Sequence, residues 1–205
     1  MLDSTRPIGE TLNTDLGCPK STSAGVLSSC QDAAKSWFAL RATYSRELKV
    51  QAYLSERGVR TFIPMMWRKR NVNGKDEKKL VPAVSNLVFV HWTREDIDSY
   101  IRSFGDVRPV NYYWDRTTNA PLTIPEKDME NFITVASTLD EDLIFLTEIS
   151  DKLREGQAVK VKEGPFKGVE GKIVRIRKSR RILVELPGML AVASTYVSPE
   201  HIEII

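Results

Sequence analysis

The chain has 205 residues, 41% hydrophobic and 28% charged, with a net charge of +3, which suffices for one large domain or two small ones, each with its own core. No apolar run approaches the roughly 20 residues of a membrane helix, and residues 1–35 lack the apolar stretch of a secretory signal, so a cytoplasmic protein is expected. Cys18 and Cys30 have no CxxC spacing, and His91 and His201 lie far apart, which points to reduced thiols and no metal site.

Residues 1–35 are rich in Ser, Thr, Asp, Gly and Pro without periodicity, and a mobile tail is expected there. A strand opens at Ser36-Trp37-Phe38-Ala39-Leu40-Arg41. The spacing then predicts a helix over 45–57, with Ser45 as cap, Glu47 at the positive end and Gly58 past the stop. Val50, Tyr53, Leu54 and the stem of Arg57 share one face of it. Strand-like runs over 59–67 and 80–92 flank Asn73-Gly74, a strong hairpin signal because both positions tolerate positive φ. Thr93 with Asp96 resembles a capping box for a second helix carrying Ile97, Tyr100, Ile101 and Phe104 inward and ending at Gly105. A strand over 107–114 follows, then a third helix from Pro125 with Met129, Phe132, Ile133 and Ala136 inward. Alternating strands and helices over 36–138 predict an antiparallel α+β domain.

Residues 139–150 read as a linker, acidic at Asp140-Glu141-Asp142 and then apolar. From 151 to 205 the pattern changes to five short strands (158–162, 169–177, 182–186, 190–196 and 202–204) punctuated by Gly and Pro, which predicts a small SH3-like barrel.

Basic residues gather in two runs. Arg68, Lys69, Arg70, Lys75, Lys78 and Lys79 flank the Asn73-Gly74 turn. They read either as a solvated edge that blocks aggregation or as a phosphate-contacting ribbon, with Trp67 as a candidate stacking residue. Arg175, Arg177, Lys178, Arg180 and Arg181 surround a barrel turn and read as an exposed loop. There is no phosphate-cradling loop, metal-ligand cluster or nucleophile elbow, so no catalytic residue and no cofactor is expected. His91 reads as structural.

The run Gly156-Gln157-Ala158-Val159-Lys160-Val161 through Gly164-Pro165-Phe166-Lys167-Gly168 to Gly171 resembles a KOW motif. Trp37-Phe38-Ala39-Leu40-Arg41-Ala42, then Arg46-Glu47-Leu48-Lys49-Val50, Gly58 to Pro64, and Val81 to Val90 resemble the NusG N-terminal domain. That order resembles NusG family transcription factors, most of all specialised paralogues of the UpxY, RfaH and LoaP types that act on selected long operons. The resemblance implies a monomer that suppresses pausing or termination. Its N-terminal domain would meet the clamp helices of the largest RNA polymerase subunit through Arg41, Thr43, Tyr44, Val84, Ser85, Asn86 and Leu87. The basic hairpin would contact DNA or nascent RNA at the transcription bubble. The barrel would recruit a partner such as NusE or Rho through Phe166, Leu186, Pro187, Gly188 and Met189.

Two departures stand out. Ser85-Asn86-Leu87 replaces the family's Pro-Gly-Tyr or Pro-Asn-Tyr, and Pro187 replaces the aromatic before the barrel-loop glycine. The competing readings are a general NusG-type factor coupling to Rho or the ribosome, and a ribosome-associated KOW protein. The latter would explain the barrel but not residues 36–138.

Overall fold

The computed structural model describes residues 34–72, 75–105, 109–148, 156–176 and 178–205. The tail 1–33, the Asn73-Gly74 turn, Arg177 and the two cysteines lie outside them.

The N-terminal domain is built on an antiparallel sheet. Strands β1 (Ser36–Ala42), β2 (Arg60–Phe62), β5 (Leu87–Trp92) and β6 (Val110–Tyr112) run in the order β2-β5-β1-β6, and β9 (Thr123–Ile124) also pairs with β1. Side chains of a strand alternate between faces, and both faces here are covered. Phe38, Leu40, Ala42, Val88 and Val90 point to one side, where they pack with Val50 and Leu54 of helix α1 (Glu47–Ser55) and Ile97 and Tyr100 of helix α2 (Arg94–Arg102). Trp37, Ala39, Leu87 and Phe89 point to the other, against Met129, Phe132 and Val135 of helix α3 (Glu126–Ala136). Burial on both faces is why Leu87-Val88-Phe89-Val90 is a continuous apolar run instead of an alternating one.

Thr93 caps α2 as the sequence predicts, accepting from the Asp96 N–H at 3.2 Å. Ser45 does not cap α1. It sits at φ +52, its own N–H donates to the Asn86 side chain at 3.1 Å, and the helix starts after Arg46 without a side-chain cap. Tyr53 also leaves the expected inward face and is 41% exposed. Strands β3 (Met65–Val72) and β4 (Lys75–Pro82) form a two-stranded ribbon apart from the main sheet, and β7 (Trp114–Asp115) with β8 (Ala120–Pro121) a second, smaller one.

The C-terminal sheet holds the five predicted strands, β11 (Gln157–Val161), β12 (Glu170–Ile176), β13 (Ser179–Leu186), β14 (Leu190–Tyr196) and β15 (Ile202–Ile204), and one more. The apolar half of the expected linker, Ile144–Leu146, is strand β10, paired with β14. The correction has a simple cause: an edge of β14 has unpaired backbone groups, and a neighbouring apolar segment both pairs them and buries its side chains. Gly171 is required by close approach, since a Cβ there would lie 2.6 Å from the Leu183 carbonyl oxygen.

The barrel sits on α3. Val184, Leu186, Leu190 and Val192 belong to the same buried cluster as Phe132 and Val135, so one core runs through both domains. Polar contacts fix the register: Lys127 Nζ lies 2.6 Å from the Glu170 carboxylate, and the Glu170 N–H donates to Asn131 Oδ1 at 3.3 Å. Arg181, expected in an exposed turn, is instead buried. Its Nη1 donates to the Asp142 carbonyl at 2.7 Å and the Ser194 carbonyl at 2.8 Å, which pins the connector to the barrel. A guanidinium has several donors to place; the two carbonyl acceptors offset part of its desolvation, while its buried Nε has no hydrogen-bond partner among the described residues.

Candidate functional site

Two surfaces of the N-terminal domain collect the expected site residues. The first is the turn between β1 and α1, locked to the loop before β5. Three non-glycine residues here take left-handed backbone angles: Tyr44 (φ +61), Ser45 (+52) and Asn86 (+63). Each such residue costs of order 1–3 kcal/mol and persists only where surroundings over-determine it.

The surroundings are explicit. The Ala42 N–H donates to the Asn86 carbonyl at 2.9 Å, and the Ser45 N–H donates to Asn86 Oδ1. The Asn86 N–H donates to the Glu47 carboxylate, which is buried. The Thr43 N–H and hydroxyl both donate to the Pro109 carbonyl, at 2.8 and 3.0 Å. This clasp holds the Tyr44 ring out into solvent, 81% exposed, with the Arg46 guanidinium 5.6 Å above it. Asn at position 86 is thus explained: the loop needs a left-handed residue, and Asn also offers an acceptor.

The structure therefore brings Arg41, Thr43, Tyr44, Ser85 and Asn86 together at one corner, with Arg41, Tyr44 and Ser85 exposed. It separates Leu87 from them. Leu87 is fully buried in the cluster shared with α3 and the barrel, and Val84 packs half-buried against that cluster. Leu87 is the first residue of a strand whose two faces are both covered, so the expected exposed apolar patch is reduced to the Tyr44 corner.

The second surface is the β3–β4 ribbon. Its register sets Arg68 opposite Lys79 and Lys69 opposite Lys78. All four side chains are exposed, as is Arg70, which faces Glu77. Like charges directly opposite on a two-stranded ribbon destabilise it. The pairs of like charge therefore carry a cost that Arg70 opposite Glu77 does not share. Lys78 is bonded to the Glu141 carboxylate of the connector, which holds that carboxyl below its usual range, with Lys69 adding a smaller pull. Trp67, at the ribbon's root, is 40% exposed, whereas Trp92 is half-buried. The Lys75 side chain lies outside the described residues.

The barrel residues fare differently. Phe166 and Leu186 are buried, and Met189 packs against the core shared with α3. Pro187 and Gly188 are exposed, yet a Cβ on Gly188 would come within 3.9 Å of Leu122 of the N-terminal domain. The loop expected to meet partners is turned toward its own chain.

His91 places Nε2 3.4 Å from Glu126 and its ring 5.1 Å from Trp37, a structural arrangement at the end of β5. Among the described residues no group of three or more His, Cys, Asp or Glu is placed to hold a metal ion, and no helix is long and apolar enough to cross a membrane. Sequence reasoning missed a further basic and aromatic surface, the cleft between α1 and α2. Its one legible signal was Arg46, Lys49, Val50, Tyr53 and Arg57 at helical spacing.

These features define a class: an α+β domain with helices on both sheet faces, followed by a small all-β barrel, with exposed corner and ribbon surfaces as its candidate sites. A family model described as "Transcription termination factor nusG" matches residues 35–133, and one described as "KOW motif" matches residues 155–185. A solved structure described as "Domain interaction in Thermotoga maritima NusG" is 21% identical, with a TM-score of 0.42, over 83% of this chain and 97% of that one. A comparison with curated proteins finds no match. The chain thus carries the domains of NusG-family transcription factors, a NusG N-terminal domain followed by a KOW motif.

Proposed function

We propose that this protein is a transcription elongation and antitermination factor that acts by binding and not by catalysis. Its N-terminal domain docks on the clamp helices of the largest RNA polymerase subunit, and the basic ribbon lies along DNA or nascent RNA beside it. The observation that carries this reading is the Tyr44 corner. Three strained residues and a buried carboxylate are committed to presenting one aromatic side chain to solvent, and such strain clusters where a surface has work to do. A rigid aromatic rimmed by polar groups is the usual anchor of a protein–protein contact.

The clamp fluctuates between open and closed forms, and a ligand that prefers the closed one shifts that equilibrium by its differential affinity alone. Pausing and termination are thereby disfavoured. The Ser85-Asn86-Leu87 loop and Pro187 depart from general NusG proteins, which favours a specialised factor acting on selected operons. The barrel acts as a tethered recruiter. A partner that takes Leu186 or Met189 must first draw the barrel off α3, because those side chains are covered while it is docked.

The test is a pull-down of core polymerase with the wild-type chain and with Tyr44→Asp, followed by read-through across a terminator. Tyr44 is exposed, so the variant should keep its native circular dichroism and lose polymerase binding by at least tenfold. Undiminished binding removes the proposed surface. Leu87→Asp is unsuitable as a companion, since a carboxylate there would be buried in the core.

A further inference from the structure

The two surfaces above leave unused a cleft of about 230 Å³ between α1 and α2, with Val50, Tyr53, Tyr100 and Phe104 in its floor and Arg46 and Lys49 on its rim. We propose that this cleft docks a short acidic segment of a partner protein, which inserts one large apolar side chain between the helices.

The floor is apolar. Val50 and Tyr53 of α1, one helical turn apart, face Tyr100 and Phe104 on the α2 side at similar spacing. Val50 and Tyr100 belong to the core, and Tyr53, 41% exposed, with half-buried Phe104 supplies the apolar surface that an inserted side chain could reach. The rim is cationic. Arg46 and Lys49 stand at the edge, both exposed, and among the described residues neither is in an ion pair and no carboxylate lines the cleft. Apolar floor and basic rim together complement an apolar anchor flanked by Asp or Glu.

A nucleic-acid strand would also meet those cations, but it would need free ring faces for its bases. The faces are taken. The Arg57 guanidinium stands 3.5 Å over the Tyr53 ring, and Tyr100 stacks on that ring at 5.4 Å and 25°. Phe104 meets Tyr100 edge to face at 5.1 Å. What the cleft offers is ring edges and aliphatic surface, the environment of a Leu or Phe side chain and not of a stacked base. Tyr44 and the ribbon residues do not line the cleft; Arg46 is shared, since its guanidinium also stands 5.6 Å over the Tyr44 ring, so Lys49 is the rim cation that belongs to the cleft alone.

The experiment is selection from a displayed pool of random peptides on the full chain, with Lys49→Glu and Ser103→Trp, at the cleft's edge, as counter-targets. Both positions are exposed. The first reverses the rim charge and the second fills the cleft, and circular dichroism and polymerase pull-down check that each variant is otherwise intact. Peptides retained by the wild type should pair an aromatic or Leu anchor with flanking Asp or Glu, and bind either variant at least tenfold more weakly by fluorescence anisotropy. Retained peptides without acidic enrichment, none retained, or equal binding to both variants would overturn the proposal. So would displacement of the selected peptides by oligo(rU) or oligo(dT) with no loss of oligonucleotide affinity in Ser103→Trp.

Discussion

Arg181 shows how a single side chain can change meaning between sequence and structure. In the sequence it ends a basic run around a turn; in the fold it is buried and bonded to the Asp142 and Ser194 carbonyls. Charge-assisted hydrogen bonds of this kind contribute about 1.5–3 kcal/mol each, and removing the donor leaves the buried Ser194 carbonyl without it. Arg181→Ala is therefore expected to destabilise the chain by about 2–4 kcal/mol, lowering the midpoint of thermal unfolding by roughly 5–15 °C. Arg180→Ala, on the exposed neighbour, should change it by under about 0.5 kcal/mol. Scanning calorimetry of the two variants checks the contrast. Gly171, by comparison, is legible in the sequence, because a glycine inside a strand pattern signals close backbone approach, and the Leu183 carbonyl is what approaches it.

At the scale of elements, the ribbon and the seam between barrel and α3 carry the electrostatics. Replacing Arg68, Lys69, Arg70 and Lys79 with Gln should weaken nucleic-acid binding at all sequences alike. The salt slope of log affinity should fall by about 1 for each phosphate no longer neutralised. Anisotropy titrations with single- and double-stranded oligonucleotides at several salt concentrations measure it, and an unchanged slope returns the ribbon to a solvated edge. At the seam between α3 and the barrel, the Lys127 hydrogen bond, ahead of the weaker pull of Lys160, holds the Glu170 carboxyl below the usual carboxylate range. A carboxyl depressed in the folded state stabilises it above the unfolded value, and the contribution is lost as pH falls through the lower, folded value. The Glu170 contribution to barrel docking should thus be present in full at neutral pH and fade below about pH 4, where an ordinary glutamate takes up its proton. Glu170→Gln should remove that acid limb when the backbone amides around residue 170 are followed by NMR.

For the whole molecule, the decisive feature is that one apolar cluster passes from Trp37 and Phe89 through α3 to Val184, Leu190 and Val192. A core shared in this way couples the unfolding of its parts. All four tryptophans, at 37, 67, 92 and 114, lie in the N-terminal domain, while Tyr196 is a barrel residue. Tryptophan fluorescence and barrel amide signals should therefore lose structure at the same midpoint in urea. Two separated transitions would mean that the barrel melts or leaves α3 independently.

The order of the two domains, the three helices, five barrel strands and the reversal at the basic ribbon could all be read from residues 34–205 alone. They rest on local rules: side-chain period, the cap at Thr93, the helix start at Pro125, and turn residues, each acting within a few positions. What those rules could not reach is which surfaces remain free. The burial of Leu87, the inward turn of Arg181, the recruitment of Ile144–Leu146 as a strand and the covering of Leu186 all follow from contacts between segments distant in the chain. Exposure is a property of the packed whole, so only the tertiary structure decided that Tyr44 stands free while Leu87 does not, and that a cleft opens between α1 and α2.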